Sequence, residues 1–304
     1  MPFIVKTFTL DEPTFILPFL KDALQFDDKQ VRRLISKGRV RLDGNTTTAA
    51  YKRKEGKLEV LHFCATKSES NPIFITPKFA LFDKPSGTMV HPSRMDNTHT
   101  LLDDIKYHFG PSANLAHRID QETSGLVLIS RSRKEEAKIK SLFEDKLIQK
   151  SYLLYAKGKV EKAQTITSAI RKMVRVDDYF LTPTDPEGKS ASTIITPLKY
   201  FPDLNITLVE AKPITGRTHQ IRIHLYSIGH PILGETFYGH LEAERSAYIE
   251  ERLSVEERIE ITGAKRLMLH ANSVKFAYEK NRYKIVSQFD FAEEGFLKEQ
   301  VGLI

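Results

Sequence analysis

The sequence predicts an α+β fold: a mixed, mainly antiparallel sheet with flanking helices, preceded by a small N-terminal α/β domain. Three observations predict it. Segments rich in β-branched and aromatic residues outnumber the helical ones. The two kinds do not alternate as a doubly wound parallel sheet requires. A polar stretch, "ATKSESNP" (Ala65–Pro72), ends in Asn-Pro and marks a boundary between two parts of the chain. The expected domains are residues 1–66 and 67–304.

In chain order, the first domain contains "PTFILPFLKDALQFDDKQVRRLISKGRVRLDGN". Phe15, Phe19 and Leu20 recur at spacings of four and five, a helical face. Asp27 is placed as an N-cap with Asp28 in the first turn. Val31, Leu34 and Ile35 then stand at i, i+3 and i+4, and predict a second amphipathic helix that Gly38 stops. "RVRLDGN" alternates and ends in Asp-Gly, a strand running into a turn. Two helices before a strand are therefore expected, decorated by Arg32, Arg33, Lys37, Arg39 and Arg41.

Charge sharpens this picture. The 304 residues carry a formal net charge of +7, but residues 1–30 sum to −2 and residues 31–57 to +7. So concentrated a block of cations suits phosphate neutralisation, whose energy comes largely from counterion release. The one cysteine, Cys64, excludes an intramolecular disulfide and a Cys-based zinc site. "MPFIVKTFTLDEP" lacks the basic start and long apolar core of a signal peptide, and no stretch is long and apolar enough for a membrane helix. A cytoplasmic protein with no membrane partner is expected.

The second domain reads on as follows. "IFITPKFALFDKPSG" predicts a strand pair before a Pro-Ser-Gly turn. "AHRIDQETSGLVLIS" (Ala116–Ser130) sets a polar patch ahead of an apolar run, Leu126–Ile129, which predicts a loop mounted on a buried strand, with Gly125 permitting the turn between them. "RKEEAKIKSLFEDK" is a helix with Ala137, Leu142 and Phe143 as packing residues. "KSYLLYAKGKV", "STIITPLKYF", "NITLVEAKPI" and "THQIRIHLYSIG" are strands. In the last, Ile221, Ile223 and Leu225 fall on one face, and Gln220, Arg222 and His224 on the other, facing solvent. Residues 241–262 hold seven Glu and three Arg, and predict an amphipathic helical segment packed on its own sheet through Tyr248, Leu253 and Ile259.

Four motifs stand in order: "KPSGTMVHPS" (Lys84–Ser93), "AHRIDQETSGLVLISRS" (Ala116–Ser132), "KSYLLYAKG" (Lys150–Gly158) and "GRTHQIRIHL" (Gly216–Leu225). "GKSAST" (Gly188–Thr193) and "RLMLHA" (Arg266–Ala271) support them. Together they resemble the RluA-type RNA pseudouridine synthases over essentially the whole chain, and residues 12–60 resemble the small RNA-binding fold named after ribosomal protein S-four. The chain departs from the family in Ile119 where Leu is usual, in Gly234-Glu235 where Gly-Asp is usual, and in "KFAYEK", where a His-Pro pair often stands. These departures predict altered peripheral packing only.

The resemblance implies isomerisation of uridine to pseudouridine in RNA. The reaction breaks a carbon–nitrogen glycosidic bond, turns the uracil and joins its carbon 5 to the ribose, so nothing is oxidised and no cofactor is needed. The resemblance puts the acting carboxylate at Asp120, as nucleophile or base. It puts the cation that keeps the carboxylate ionised at Arg217, and an aromatic ring stacked on the target base at Tyr152 rather than Tyr155. Arg118 is expected to contact RNA beside the flipped base, and Arg222 to contact RNA from the polar face of its strand. His219 and His224 are five apart with no Glu-x-x-His pattern, so no metal is expected. A P-loop and a Gly-x-Ser-x-Gly elbow are missing. The expected partner is RNA, large-subunit ribosomal RNA ahead of transfer RNA, acted on by a monomer. Two other readings compete. One is a non-catalytic ribosome-assembly protein on the same scaffold, which intact Asp120, Tyr152 and Arg217 oppose. The other is a nuclease or glycosidase, which the want of a metal cluster and a second carboxylate opposes.

Overall fold

The computed structural model describes residues 3–48, 50–63, 70–91, 99–171, 188–240, 242–249 and 253–303. The chain divides into two compact units, Met1–Lys67 with Pro92–His99, and Ser68–His91 with Thr100–Ile304. The expected domain boundary at residues 66 and 67, and Cys64, lie outside the described residues.

The first unit runs β1 (Phe3–Phe15), α1 (Ile16–Leu24), α2 (Asp28–Ser36), β2 (Val40–Leu42), β3 (Asn45–Thr46) and β4 (Arg53–Phe63). Its sheet has the order β1-β4-β2-β3. A long strand thus precedes the two helices, which the sequence reading did not expect. β1 acquires its partner from β4, far along the chain, and Pro13 falls at the irregularity between Leu10 and Thr14, where a missing N–H breaks no ladder bond. Phe15 pairs with Arg53 at the end of that ladder, so the helix starts one residue later and buries Ile16, Leu17 and Leu20, leaving Phe15 42% exposed. α2 follows expectation: Asp27 and Gln30 form a capping box, and Val31, Leu34 and Ile35 are buried. The turn from β2 to β3 places Asp43 and Gly44 at φ 48° and 79°, the positive pair a tight hairpin turn needs.

The second unit runs β5 (Pro72–Ile75), β6 (Phe79–Lys84), α3 (Leu101–Phe109), β7 (Asn114–Leu115), β8 (Ser124–Ser130), α4 (Arg133–Glu144), β9 (Gln149–Lys157), β10 (Gln164–Ile170), β11 (Lys189–Phe201), β12 (Ile206–Pro213), α5 (Gln220–Ser227), α6 (Glu242–Ile249), α7 (Val255–Thr262), β13 (Leu269–Tyr278), β14 (Asn281–Val286) and α8 (Glu294–Gln300). Its ten strands form one sheet of order β10-β11-β12-β9-β13-β8-β6-β5, with β14 on β13 and β7 on β8. Among the described strand pairs of this sheet only β13 with β8 is parallel. This is the α+β class expected, with a mainly antiparallel sheet.

β8 lies buried along its whole length. Val127 and Ile129 enter one apolar cluster, and Leu126 and Leu128 enter a second on the opposite face. Burial on both faces is why the strand reads as a continuous apolar run rather than an alternation. Gly125 belongs to this strand and does not turn the chain into it. Its φ is 106°, and a Cβ there would lie 2.4 Å from Ala271 O and 2.6 Å from Ala271 N on β13. Glycine is needed for that close approach of two backbones.

Two further expectations are corrected. α4 buries Glu135 and Ile139, while Ala137 is exposed; Leu142 and Phe143 pack as expected. Residues 220–227 form the helix α5, not a strand. Every residue from Gln220 to Leu225 is buried, so the helix has no polar face to reveal its period. Its polar members bond inward: Gln220 Nε2 donates to Ser192 O and Thr193 Oγ1, both at 2.9 Å, and His224 Nδ1 lies 2.9 Å from Thr193 Oγ1. Residues 242–249 and 255–262 are helical as expected, with Tyr248, Leu253 and Ile259 half-buried. No helix among the described residues is long and apolar enough to cross a membrane.

Candidate active site

Asp120 stands in the turn between β7 and β8. The turn is closed by Thr123 N donating to Asp120 O at 3.1 Å, and is tied back to β8 by Leu128 N donating to His117 Nε2 at 3.0 Å. From the other side the Lys84–Thr88 segment grips it. Ser86 Oγ donates to Glu122 O at 2.6 Å, and Gly87 N to Gln121 O at 3.0 Å. Lys84 is only 1% exposed, and its Nζ donates to the carbonyls of Pro85, Thr88 and Gln121, each at 2.8 Å. Three carbonyls match the three N–H bonds of an ammonium. Burial pulls the Lys84 pKa down to about 7, against the pull of the Asp120 charge. The lysine of the first motif therefore holds the turn that carries the aspartate, a role sequence reading missed.

The Asp120 side chain is 28% exposed, and two basic groups face it. Arg222 Nη1 and His219 Nε2 each lie 4.0 Å from its Oδ2. Arg222 is held by Glu235, with Nε 2.8 Å from Oε2 and Nη2 2.5 Å from Oε1, and both side chains are 2% exposed. Glu235 also accepts the backbone N–H groups of Thr236 (3.0 Å) and Phe237 (2.8 Å). The rings of Phe237 and Tyr238 lie 5.0 and 5.6 Å from the guanidinium. Burial opposes the Arg222 charge, but Glu235 and then Asp120 outweigh it and raise its pKa. Burial and the nearby Arg222 cation lower the pKa of His219, so its ring is neutral at pH 7. His219 Nδ1 lies 2.9 Å from Tyr238 Oη.

Tyr152 completes the constellation. It lies on β9 between Ala211 of β12 and Ala271 of β13, two small neighbours that leave room for its ring. It is 8% exposed, and burial together with the Asp120 charge pushes its phenol pKa up, so the hydroxyl keeps its proton. Tyr155 is fully buried and donates from Oη to Phe291 O at 3.3 Å, which makes it a core residue.

The structure thus brings Asp120, Tyr152 and Arg222 together, and redistributes two expected roles. Arg217 is exposed, and its Nε donates to Ser190 O at 3.2 Å; the guanidinium beside Asp120 is that of Arg222. Arg222 is in turn too buried to face RNA as a solvent-exposed strand residue would, because the helix carries it inward. Glu235, read as peripheral, anchors this arginine. The available signal was the pairing of an odd acidic residue with a motif arginine, but only the fold brings residues 222 and 235 together. Arg118 is exposed at the rim. In the first unit Arg32, Arg33, Lys37 and Arg41 are exposed and Arg39 is half-buried; Arg39 and Arg41 line a groove with Val5, Gly38, Glu59 and Leu61. Among the described residues no group of three or more His, Cys, Asp or Glu side chains could hold a metal ion.

The chain is similar to known proteins. A family model described as RNA pseudouridylate synthase matches residues 78–227. An uncharacterized RNA pseudouridine synthase of Helicobacter pylori strain 26695 is 35% identical over 301 residues, covering 98% of each chain. The ribosomal large subunit pseudouridine synthase C of Vibrio cholerae is 29% identical over 295 residues, covering 88% of this chain and 86% of its own. Among solved structures, human RNA pseudouridylate synthase domain containing 1 shares the fold with a TM-score of 0.56 at 23% identity, over 74% of this chain and 86% of its own.

Proposed function

The chain belongs to the RNA pseudouridine synthase family and isomerises uridine to pseudouridine in RNA; from that premise we propose that its substrate is large-subunit ribosomal RNA and that Asp120 is the group acting on the target nucleotide. The observation that carries the assignment is the carboxylate of Asp120, partly open to solvent and facing a buried arginine that is itself locked by Glu235. A carboxylate so mounted can attack the ribose or take a proton from it without reorganising its surroundings.

Tyr152 supplies a neutral phenol ring within the electrostatic reach of the carboxylate, suited to stacking on the displaced uracil. Arg118, exposed at the rim two residues before Asp120, suits the space the base vacates or a flanking phosphate. Arg217, exposed beside α5, suits a phosphate as well. The first unit, with Arg32, Arg33, Lys37, Arg39 and Arg41, serves as an S-four-like RNA-binding domain. Ribosomal RNA is favoured over transfer RNA by the match, across most of both chains, to a synthase named for the ribosomal large subunit. Sequencing pseudouridines in ribosomal and transfer RNA, from cells with and without this gene, tests the substrate. A site lost from large-subunit ribosomal RNA supports the reading, and a loss confined to transfer RNA overturns it.

A further inference from the structure

The helices α6 and α7 lie beyond the residues matched by the family model, yet they reach the turn that carries Asp120. Arg258, on α7, places Nη2 2.6 Å from Glu122 Oε1, with the two side chains 17% and 10% exposed. Glu122 Oε2 accepts from Thr236 Oγ1 at 3.3 Å, and its carbonyl accepts from Ser86 Oγ at 2.6 Å. Residue 122, two positions after Asp120, is therefore held from four directions. One grip comes from the first motif, one from the turn that supplies Glu235 to Arg222, one from the Tyr248 hydroxyl on α6, which hydrogen-bonds the Glu122 carboxylate, and one from α7.

α7 is well anchored for this. Ser254 and Glu257 form a capping box at its start, and Gly263 ends it at φ 90°. The ring of Tyr248, on α6, lies 5.0 Å from the Arg258 guanidinium and meets Phe237 edge-on at 5.8 Å. Phe237 in turn flanks Arg222. The two helices thus touch both the turn bearing Asp120 and the side chains around its cationic partner.

We propose that Arg258 is a positioning residue, through which α7 clamps the Glu122 carboxylate and holds Asp120 in its reactive place. The inference rests on Asp120 being the acting carboxylate. Arg258 touches neither Asp120 nor its two basic neighbours in any contact the structure shows, so its effect passes through the turn. Misplacing a reacting group by an ångström lowers a rate about a hundredfold, so loss of one of these four grips is expected to cost roughly tenfold.

The test uses the full chain and a saturating ribosomal RNA fragment. Single-turnover pseudouridine formation, the RNA dissociation constant and Tm are measured for Arg258→Met and Arg258→Lys. The expected result is a rate roughly tenfold lower in Arg258→Met, with RNA affinity within about twofold of the parent and most of the rate restored in Arg258→Lys. An unchanged rate, a loss that appears only in affinity, or a lysine variant no better than the methionine one would overturn the clamp. Should Arg258→Met fail to fold, Glu122→Gln keeps the shape of the turn and removes the charge that Arg258 grips. It should slow the step alike, and the double variant should be no slower than either single. Asp120→Asn separates the two readings: residual turnover there removes the premise, whereas a dead Asp120→Asn with a full-rate Arg258→Met removes only the clamp.

Discussion

Glu235→Gln removes one negative charge from the site while keeping its volume. The wild-type carboxylate accepts Arg222 Nε at 2.8 Å on one oxygen, and Arg222 Nη2 at 2.5 Å on the other. The second oxygen also accepts the N–H groups of Thr236 and Phe237. The glutamine oxygen can keep the crowded position, but its amide nitrogen then faces Arg222 Nε, donor against donor. Removing one partner of a buried pair costs about 3–5 kcal/mol. The surviving bonds place this change near the lower end, about 3 kcal/mol. At about 2–4 °C per kcal/mol for a unit of this size, Tm should fall by roughly 6–12 °C. Arg222 would also be left with Asp120, 4.0 Å away, as its only facing carboxylate, so turnover should fall with stability. Calorimetric unfolding and single-turnover assays below the new Tm separate the two effects. Glu235→Asp, which restores the charge with a shorter arm, should recover part of both. A Glu235→Gln protein with Tm within about 2 °C of the parent would refute the view that Glu235 sustains a buried arginine charge.

Gly125→Ala should destabilise the fold by at least about 2 kcal/mol, from positive φ and a clash with the Ala271 backbone, and a variant with parental Tm would contradict that close approach. Replacing Arg32, Arg33, Lys37 and Arg41 together by serine should flatten the slope of log affinity against log salt by up to about 3 for single-stranded RNA; an unchanged slope would mean that this block does not meet phosphate. Acidification should also weaken the fold. Burial holds the pKa of His224 at about 4 and that of His270 at about 3, against about 6.5 in the unfolded chain. The native state refuses protons that the unfolded state accepts, so stability is full above pH 6.5 and is lost as pH falls towards the folded values. Between pH 6.5 and 5 each histidine should remove about 2 kcal/mol, read by denaturant titration, with a shallower loss in His224→Gln; equal stability at pH 7 and 5 would contradict it.

Elements with local signatures were legible in the sequence. The Asp27 cap, the Asp43-Gly44 turn and the unbroken apolar run of β8 each follow from residues next to one another. β1 was not, because its pairing with β4 closes across two intervening helices and a hairpin. α5 was misread for a different reason. Its Gln220, Arg222 and His224 are polar in sequence but buried in place, each bonded to a residue from another segment, so hydrophobic alternation mimicked a strand. That single misreading displaced the site: an outward strand would leave Arg222 to RNA and Arg217 to Asp120, whereas the helix turns Arg222 inward to Glu235. Asp120 and Tyr152 were placed by their motifs, while Lys84, His219 and Glu235 needed the tertiary contacts.

The measurement that bears most directly on the central claim is pseudouridine formation by Asp120→Asn. Large-subunit ribosomal RNA from cells lacking the gene is incubated with parent or variant, and the target is read by sequencing and by mass spectrometry of the nucleosides. The substitution removes the charge facing Arg222 and leaves the turn's hydrogen bonds in place. The parent should convert the uridine, and the variant should bind the same RNA and convert none. Conversion by Asp120→Asn at a rate near that of the parent would show that the carboxylate is not the acting group.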